Sequence, residues 1–271
     1  MNLNEIVSPL GVTDKMPMLF VGHGSPMNAI EQNEFAKEWR SIGAALPKPN
    51  AILCISAHWE TRGTKITAME KPPTIHDFGG FPQELFDVHY PAPGSPSLAL
   101  DIQTLLKPTP AALDTQWGLD HGCWSVLRHM YPNADIPVLE MSMDLNRTPQ
   151  QHYDFAKELS ALRKKGVLII GSGNMVHNLR MLNWQRPVTG YDWAIEANNN
   201  FKSLITSGKN DLLIGYQNLG SEAKLAIPTP EHYLPLLYIL GLKEENENQS
   251  FFSDQLVMGS ISMTSLKIGM T

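Results

Sequence analysis

The 271-residue chain has little of what several protein classes require. Its only cysteines, Cys54 and Cys123, are too few for the disulfide framework of a small secreted protein, and a reducing compartment suits them better. No apolar stretch approaches the roughly 20 residues that span a bilayer. The first segment, residues 1–15, lacks the basic region of a signal peptide. We therefore expect a cytoplasmic protein without a membrane partner.

Positive charge and short catalytic motifs are also scarce. The formal net charge is −6 and no basic run of five or more residues appears, which argues against a nucleic-acid partner. The chain has no H-E-x-x-H zinc motif, and no G-x-S-x-G nucleophile elbow surrounds Ser25 or Ser172. The stretch 171–173 follows an apolar run but lacks the third glycine and the lysine of a P-loop. A metal site here would have to be assembled from distant segments.

Apolar runs alternate with amphipathic patterns, as expected for a mostly parallel central sheet covered by helices. Thr148 and Pro149 predict the start of the longest helix, with Thr148 as its N-cap. No repeat or linker interrupts the pattern, so we predict one α/β domain over residues 1–271, with a metal site at the strand ends. The predicted strands are 17–21, 51–57, 64–69, 136–141, 166–171 and 255–262, and the predicted helices are 33–45, 97–106, a segment after Trp124, 148–165, 193–206 and 229–240.

Five of the nine histidines lie at joints between apolar runs and polar loops. A histidine at the end of a buried strand faces the edge where α/β folds build their sites. Neutral imidazole is also a common protein ligand for zinc and ferrous iron. The pattern therefore predicts a mononuclear metal enzyme. The five residues are His23, His58, His121, His177 and His232.

His23 and His58 each end a predicted strand. Gly22 and Gly24 flank His23 and allow a ligand to approach closely, although a hydrogen-bonded histidine in a tight turn would have the same sequence. Neighbouring strand ends in a parallel sheet lie about 5 Å apart, within range of one shared metal. We expect both rings at the same edge of the sheet.

His232 opens a predicted helix, with Thr229 as N-cap, Pro230 at the first helical position and His232 at the third. The helix dipole disfavours imidazolium at that place and keeps the ring neutral for metal binding. Glu231 offers a carboxylate in the same turn. The residues thus leave open two ligand sets, two histidines with a carboxylate or three histidines.

His177 and His121 are expected beside the metal. His177 follows the buried strand 166–171, where it is either a fourth ligand or a general acid/base. His121 precedes a predicted helix, and Asp120 either caps that helix or orients a neighbouring imidazole. Surface, turn or structural roles are expected for the remaining histidines, which are His76, His89, His129 and His152.

With these segments identified, the chain resembles the class III extradiol ring-cleavage dioxygenases, and within them the 4,5-DOPA dioxygenase branch. The resemblance runs from about residue 17 to residue 241, with its segments in the family's order. The segments are FVGHGSPMNAI, ISAHWE, TIHDFGGFPQELFDVHYPAPG, QWGLDHGCWSVL, IIGSGNMVHNL and PTPEHYLPLLYILG.

This resemblance implies an enzyme that uses a divalent metal to insert both atoms of O2 into the ring of L-DOPA or a related catechol, giving a muconate semialdehyde. It implies His23, His58 and His232 as metal ligands. His177 would be the catalytic histidine or an additional ligand, and His121 a residue that contacts the substrate or supports the site. One metal per chain is expected, with zinc bound in the isolated protein and Fe(II) needed for oxygen chemistry.

Two other functions stay open. A zinc hydrolase would use metal-bound water as its nucleophile and would need no oxygen. A binding protein that retained the site without the chemistry would show no turnover with any metal. The sequence gives no indication of the oligomeric state.

Overall fold

The computed structural model describes residues 10–11, 13–106 and 109–269. Its main feature is an eight-stranded sheet with the order β4-β3-β5-β2-β6-β1-β10-β7. The pairs β1–β6, β2–β6, β2–β5 and β3–β4 are parallel, whereas β3–β5, β1–β10 and β7–β10 are antiparallel. The predicted α/β class with a mostly parallel central sheet is confirmed. The strands are β1 (Met18–Gly22), β2 (Ala51–Thr61), β3 (Thr64–Thr67), β4 (Ala111–Asp114), β5 (Val138–Asp144), β6 (Val167–Gly173), β7 (Gln249–Phe252), β8 (Leu256–Val257), β9 (Ile261–Ser262) and β10 (Ser265–Ile268).

Helices cover both faces of this sheet, which explains why its central strands are apolar throughout. Successive residues of β2 enter different cores, with Leu53 packed on one face and Ile52 on the other. No helix in the described ranges is long and apolar enough to cross a membrane. The α-helices are α1 (Glu34–Ala45), α2 (Gln83–Phe86), α3 (Pro96–Leu105), α4 (His121–Met130), α5 (Pro149–Ala156), α6 (Ser160–Arg163), α7 (Asp192–Thr206), α8 (Asn210–Ile214), α9 (Ser221–Ala226) and α10 (Leu234–Gly241).

Several predicted boundaries were wrong. Thr148 caps its helix through a capping box with Gln151, as predicted, but a 3-10 segment at Lys157–Leu159 divides the predicted helix 148–165 into α5 and α6. The predicted strand 255–262 is the two-stranded hairpin β8–β9 instead. It turns because Met258 and Gly259 both have positive φ angles, which an extended strand does not allow.

The prediction that the first two strands are adjacent in the sheet was also wrong. β6 lies between β1 and β2, and its Ser172 is in register with Val21 on one side and Ser56 on the other. Two strand spacings correspond to about 10 Å, so His23 and His58 cannot meet through adjacent strand ends. Their side chains have to converge over the end of β6.

Candidate active site

The structure brings all five predicted histidines together at the carboxyl ends of β1, β2 and β6. The ring centroids of His58 and His121 are 4.0 Å apart, and those of His23 and His58 are 5.0 Å apart. The ring centroid of His232 lies 5.4 Å from that of His23 and 3.5 Å from that of His177. Residues separated by more than 200 positions in the chain therefore form one cluster of imidazoles.

His23 is fixed in one tautomer by β6. The Ser172 hydroxyl donates to the carbonyl of Gly122 at 2.5 Å, so its oxygen accepts a hydrogen bond from Nδ1 of His23 at 3.0 Å. Nδ1 therefore bears the ring hydrogen, and Nε2 keeps a free lone pair. Because His23 is 1 % exposed, that lone pair has no access to bulk water.

His58 reaches the site from an irregular part of β2. The register between β2 and β5 shifts between Ile55 and Glu60, and a bulge of this kind redirects side chains. Nδ1 of His58 lies 3.5 Å from a carboxylate oxygen of Asp77. The opposite nitrogen, Nε2, faces Nε2 of His23 at 3.1 Å.

This pair of nitrogens provides a test of whether a metal fits. Since Nε2 of His23 has no hydrogen, either Nε2 of His58 donates one to it, or two lone pairs face each other at 3.1 Å and repel. Metal–nitrogen bonds of about 2.0–2.1 Å place two ligand nitrogens of one ion about 3.0–3.4 Å apart. A divalent cation between the rings would remove the repulsion at the observed separation.

His232 supplies a third nitrogen to the same place. The candidate ligand atoms of His23, His58 and His232 all lie within 4.8 Å of one another. Glycine at 173 makes this possible, since a Cβ there would lie 2.1 Å from the carbonyl oxygen of His232. That oxygen accepts the backbone N–H of Asn174, which holds the turn against the end of β6.

The predicted helical position of His232 was wrong, because α10 begins at Leu234 and residues 231–233 form a turn. The N–H groups of Tyr233 and Leu234 both bond to the carbonyl of Pro230. Glu231 serves the ring itself: its Oε1 accepts from the Thr229 hydroxyl at 2.8 Å and lies 3.1 Å from Nδ1 of His232. This carboxylate orients the imidazole and leaves Nε2 free.

His177 stacks on His232 with an interplanar angle of 11° and a centroid separation of 3.5 Å. A metal binds imidazole in the plane of the ring through the nitrogen lone pair. One ion cannot lie in two parallel planes that are stacked in this way. The geometry therefore favours a proton-transfer role for His177 over that of a fourth ligand beside His232.

His121 is the first residue of α4, which begins earlier than the predicted segment after Trp124. Asp120 is the N-cap and accepts from the N–H of Cys123, so the capping alternative is the one found. Orientation of His121 comes from Asp77, whose two oxygens accept the backbone N–H and the ring Nδ1–H, each at 2.9 Å. Burial by itself raises the pKa of Asp77, but the hydrogen bonds from His121 lower it below its usual value.

Comparisons with known proteins agree with this geometry. Residues 16–266 match the family described as the catalytic LigB subunit of aromatic ring-opening dioxygenase. The chain belongs to this family. It is 48 % identical over 259 residues to "4,5-DOPA dioxygenase extradiol" of Escherichia coli K12, covering 94 % of this chain and 95 % of the relative. A protein of the same name from Beta vulgaris is 37 % identical over 261 residues, covering 93 % of this chain and 96 % of its own.

A solved structure shows the same fold. The crystal structure of the uncharacterized protein JW3007 from Escherichia coli K12 superposes with a TM-score of 0.83 at 43 % identity, covering 94 % of this chain and all of the other. These similarities confirm the predicted family and the predicted enzyme class, an extradiol ring-cleaving dioxygenase. The LigB-family fold thus places five imidazoles at the carboxyl ends of its central strands.

Burial lowers the pKa of four imidazoles of this LigB-family site and so favours their neutral form. Burial, with neighbouring His58 second, lowers the pKa of His23 well below its ordinary value, and burial does the same for His232. Burial and the adjacent His121 lower the pKa of His58 to about 3. Burial lowers the pKa of His177 to about 4. Neutral rings are the form that binds a metal.

Sequence reasoning missed Asp77 as a site residue. It lies in the segment 71–96, between the predicted strand 64–69 and the predicted helix 97–106. The one available signal was its place between His76 and Phe78 in the run IHDFGG, because Phe78 packs edge-on against His121 at 5.6 Å. His76 bonds to the carbonyl of Val88 and stays in the loop.

Proposed function

We propose that this chain is a 4,5-DOPA dioxygenase-like enzyme that opens the ring of L-DOPA or a related catechol beside its diol, giving a muconate semialdehyde. The observation that supports it best is the convergence of the Nε2 atoms of His23 and His58, 3.1 Å apart, with His232 completing the group. The names of the relatives from Escherichia coli and Beta vulgaris point to the same substrate class.

In this proposal His23, His58 and His232 hold one divalent metal ion, and each offers Nε2. When bound, Fe(II) would acidify the catechol hydroxyls and pass electron density from the catecholate, which is the reductant, to O2; zinc fits three imidazoles equally well but has no redox chemistry. Zinc is therefore the ion expected in the isolated protein, and Fe(II) the one that supports turnover.

The protein's own residues would position the catechol and move protons. His177 is neutral, so it can take the proton of a catechol hydroxyl as a general base and later return it as a general acid. It stays beside the metal because its ring stacks on His232. His121, with Nδ1–H bonded to Asp77, presents Nε2 as a hydrogen-bond acceptor at the same edge. Both histidines are thus assigned to catalysis and substrate contact.

Simpler observations support the proposed cytoplasmic location and the proposed single domain. Cys54 and Cys123 are both buried free thiols, which suits a reducing cytoplasm. The family match over residues 16–266 supports a single catalytic domain for the chain. A catechol and O2 are the proposed partners.

The test is oxygen uptake by metal-stripped protein reloaded anaerobically with Fe(II) or with Zn(II), using L-DOPA and simple catechols. We expect uptake and a coloured ring-fission product with Fe(II) alone. Absence of uptake with either ion at stoichiometric loading would contradict the proposal. Ester or amide hydrolysis by the zinc form without oxygen would then identify the hydrolase alternative.

A further inference from the structure

Asp77 is shared between two of the five imidazoles. Its Oδ1 accepts the backbone N–H of His121 at 2.9 Å, and its Oδ2 accepts the ring Nδ1–H of His121, also at 2.9 Å. The same Oδ2 lies 3.5 Å from Nδ1 of His58. The Asp77 side chain is 14 % exposed, so water competes little for these oxygens.

An ionised carboxylate has no hydrogen to donate. Nδ1 of His121, which is hydrogen-bonded to Asp77, must therefore bear the ring hydrogen, and the negative charge 3.5 Å from Nδ1 of His58 favours a hydrogen on that nitrogen as well. His58 has its Nε2 directed at His23, whereas His121 has its Nε2 on the side of the ring away from Asp77. One carboxylate thus sets the tautomer of two rings with different tasks.

We propose that Asp77 is a positioning residue that fixes His58 and His121 together in the Nδ1–H tautomer, so that one presents Nε2 to the metal and the other presents Nε2 to the substrate. The assigned tasks rest on the proposed function, but the tautomers themselves do not. Asp77 is distinct from Ser172 and Glu231, each of which bonds to a single ring of the group.

The isosteric variant Asp77→Asn tests this directly. An amide has one oxygen and one NH2 group, so it cannot accept from both rings and from the His121 backbone as the carboxylate does. At least one of the two rings should then bear its hydrogen on Nε2. Asp144→Asn is the matched control, because Asp144 also accepts backbone N–H groups, from Gly63 and Asn146, but bonds to no histidine.

The first readout is the tautomer itself, measured by long-range ¹H–¹⁵N NMR on metal-free protein labelled in its histidines. Signals are assigned with His58→Gln and His121→Gln. Wild-type protein and Asp144→Asn should show Nδ1–H at both rings, and Asp77→Asn should show a change at one or both. An Nε2–H signal for either ring in the wild-type protein would overturn the proposal, even if the variant does not fold.

The second readout is metal binding. Loss of a group that orients a ligand histidine typically weakens metal affinity by about 10–100-fold, and we expect this for Asp77→Asn with Zn(II) or Fe(II). In the iron-loaded enzyme kcat should fall more than KM rises, because the acceptor at His121 is lost. Unchanged tautomers or unchanged affinity in the variant would overturn the proposal.

The same binding experiment tests a rival use of these atoms. The ligand atoms of His58, Asp77 and His121 lie within 4.8 Å of one another and could hold a second ion through both Nδ1 atoms. Binding of two ions per wild-type chain, with the second lost in Asp77→Asn, would overturn the tautomer proposal. Failure of the dioxygenase assay with the expected tautomers present would reject the proposed function alone.

Discussion

The two ends of α4 each bear a buried histidine, and the two rings are bonded in different ways. At the end of the helix, His129 has both nitrogens satisfied: Nδ1 accepts from Arg40 at 3.0 Å and Nε2 bonds to the carbonyl of Asn28 at 2.8 Å. At its start, His121 has Nδ1 bonded to Asp77, and no protein partner for Nε2 is found among the described residues. The exposed fractions of the two residues are nearly equal, 5 % for His129 and 6 % for His121, so burial does not identify a functional histidine.

The unpaired nitrogen is what identifies it. A ring nitrogen that bonds to no protein group can bond to a ligand, and Nε2 of His121 is such an atom within the described ranges, whereas both nitrogens of His129 are occupied. In His23 and His232, as in His121, Nδ1 is bonded and Nε2 is on the side of the ring away from that partner, and Nδ1 of His58 lies 3.5 Å from Asp77. The contrast with His129 can be tested by changing each kind of histidine.

The largest expected effect is loss of the metal. His23→Ala removes one of the facing Nε2 atoms, so both bound metal and ring-cleaving activity should fall to background, as measured by metal analysis and oxygen uptake. His129→Ala should keep the metal and instead lower the free energy of unfolding by about 1–3 kcal/mol, because Arg40 and Asn28 lose their partner. Metal loss in His129→Ala of the same extent would remove the distinction.

The next largest effect distinguishes the role of His177 from that of the proposed metal ligands. His177→Phe keeps a flat ring to stack on His232 but removes both nitrogens. We expect bound metal to stay at the wild-type level while kcat falls by about 10²–10⁴-fold, the usual contribution of a general acid/base. If metal content falls with activity, His177 is a ligand.

A smaller effect tests how His23 is oriented. Ser172→Ala removes the acceptor of Nδ1–H, and metal affinity should fall by about 10–100-fold in a competition titration with a chelator. Ser142→Ala is the control, because Ser142 is equally buried at 0 % exposure but bonds to Thr61 and Lys65, away from the metal. Equal losses in both variants would indicate general destabilisation.

The smallest effect concerns a buried histidine outside the site. Burial lowers the pKa of His152, whose Nδ1 bonds to the Tyr238 hydroxyl, to about 4. The unfolded chain takes up the proton first as the pH falls below 6.5, so His152 contributes full stability above that pH and loses it between 6.5 and about 4.

The expected slope from this one proton is about 1.4 kcal/mol per pH unit, measured by denaturant unfolding across that range. His152→Phe should remove this part of the pH dependence. An unchanged slope in the variant would show that His152 is not held in the neutral form.

The central strands and the five site histidines could be predicted because both depend on local sequence. A fully apolar run such as 166–171 indicates a strand buried on both faces, and a polar residue just beyond it lies at the sheet edge. The strand order could not be read in this way. The local sequences of β1 and β2 do not indicate that β6 lies between them, because the pairings of β6 with β1 and with β2 join segments far apart in the chain.

Two site details failed for a related reason. The signals at Thr229 and Pro230 are typical of a helix start, yet the carbonyl of His232 bonds to Asn174 after β6, and the helix begins later. The role of Asp77 could not be inferred from the run IHDFGG alone, because its partner His121 is 44 residues away. Tertiary hydrogen bonds determine both positions. These bonds join residues far apart in the chain, so they cannot be inferred from a single sequence.

The place of β1 in the sheet has a consequence for biosynthesis. β1, which leads directly into His23, is paired on one side by β6 and on the other by β10, at Ser265–Ile268. At about 5–20 residues per second, a ribosome makes these two partners of β1 about 5–20 seconds apart. β1, which precedes His23, therefore keeps one side unpaired until residues 265–268 have been made, so a chain truncated before β10 should be prone to aggregation.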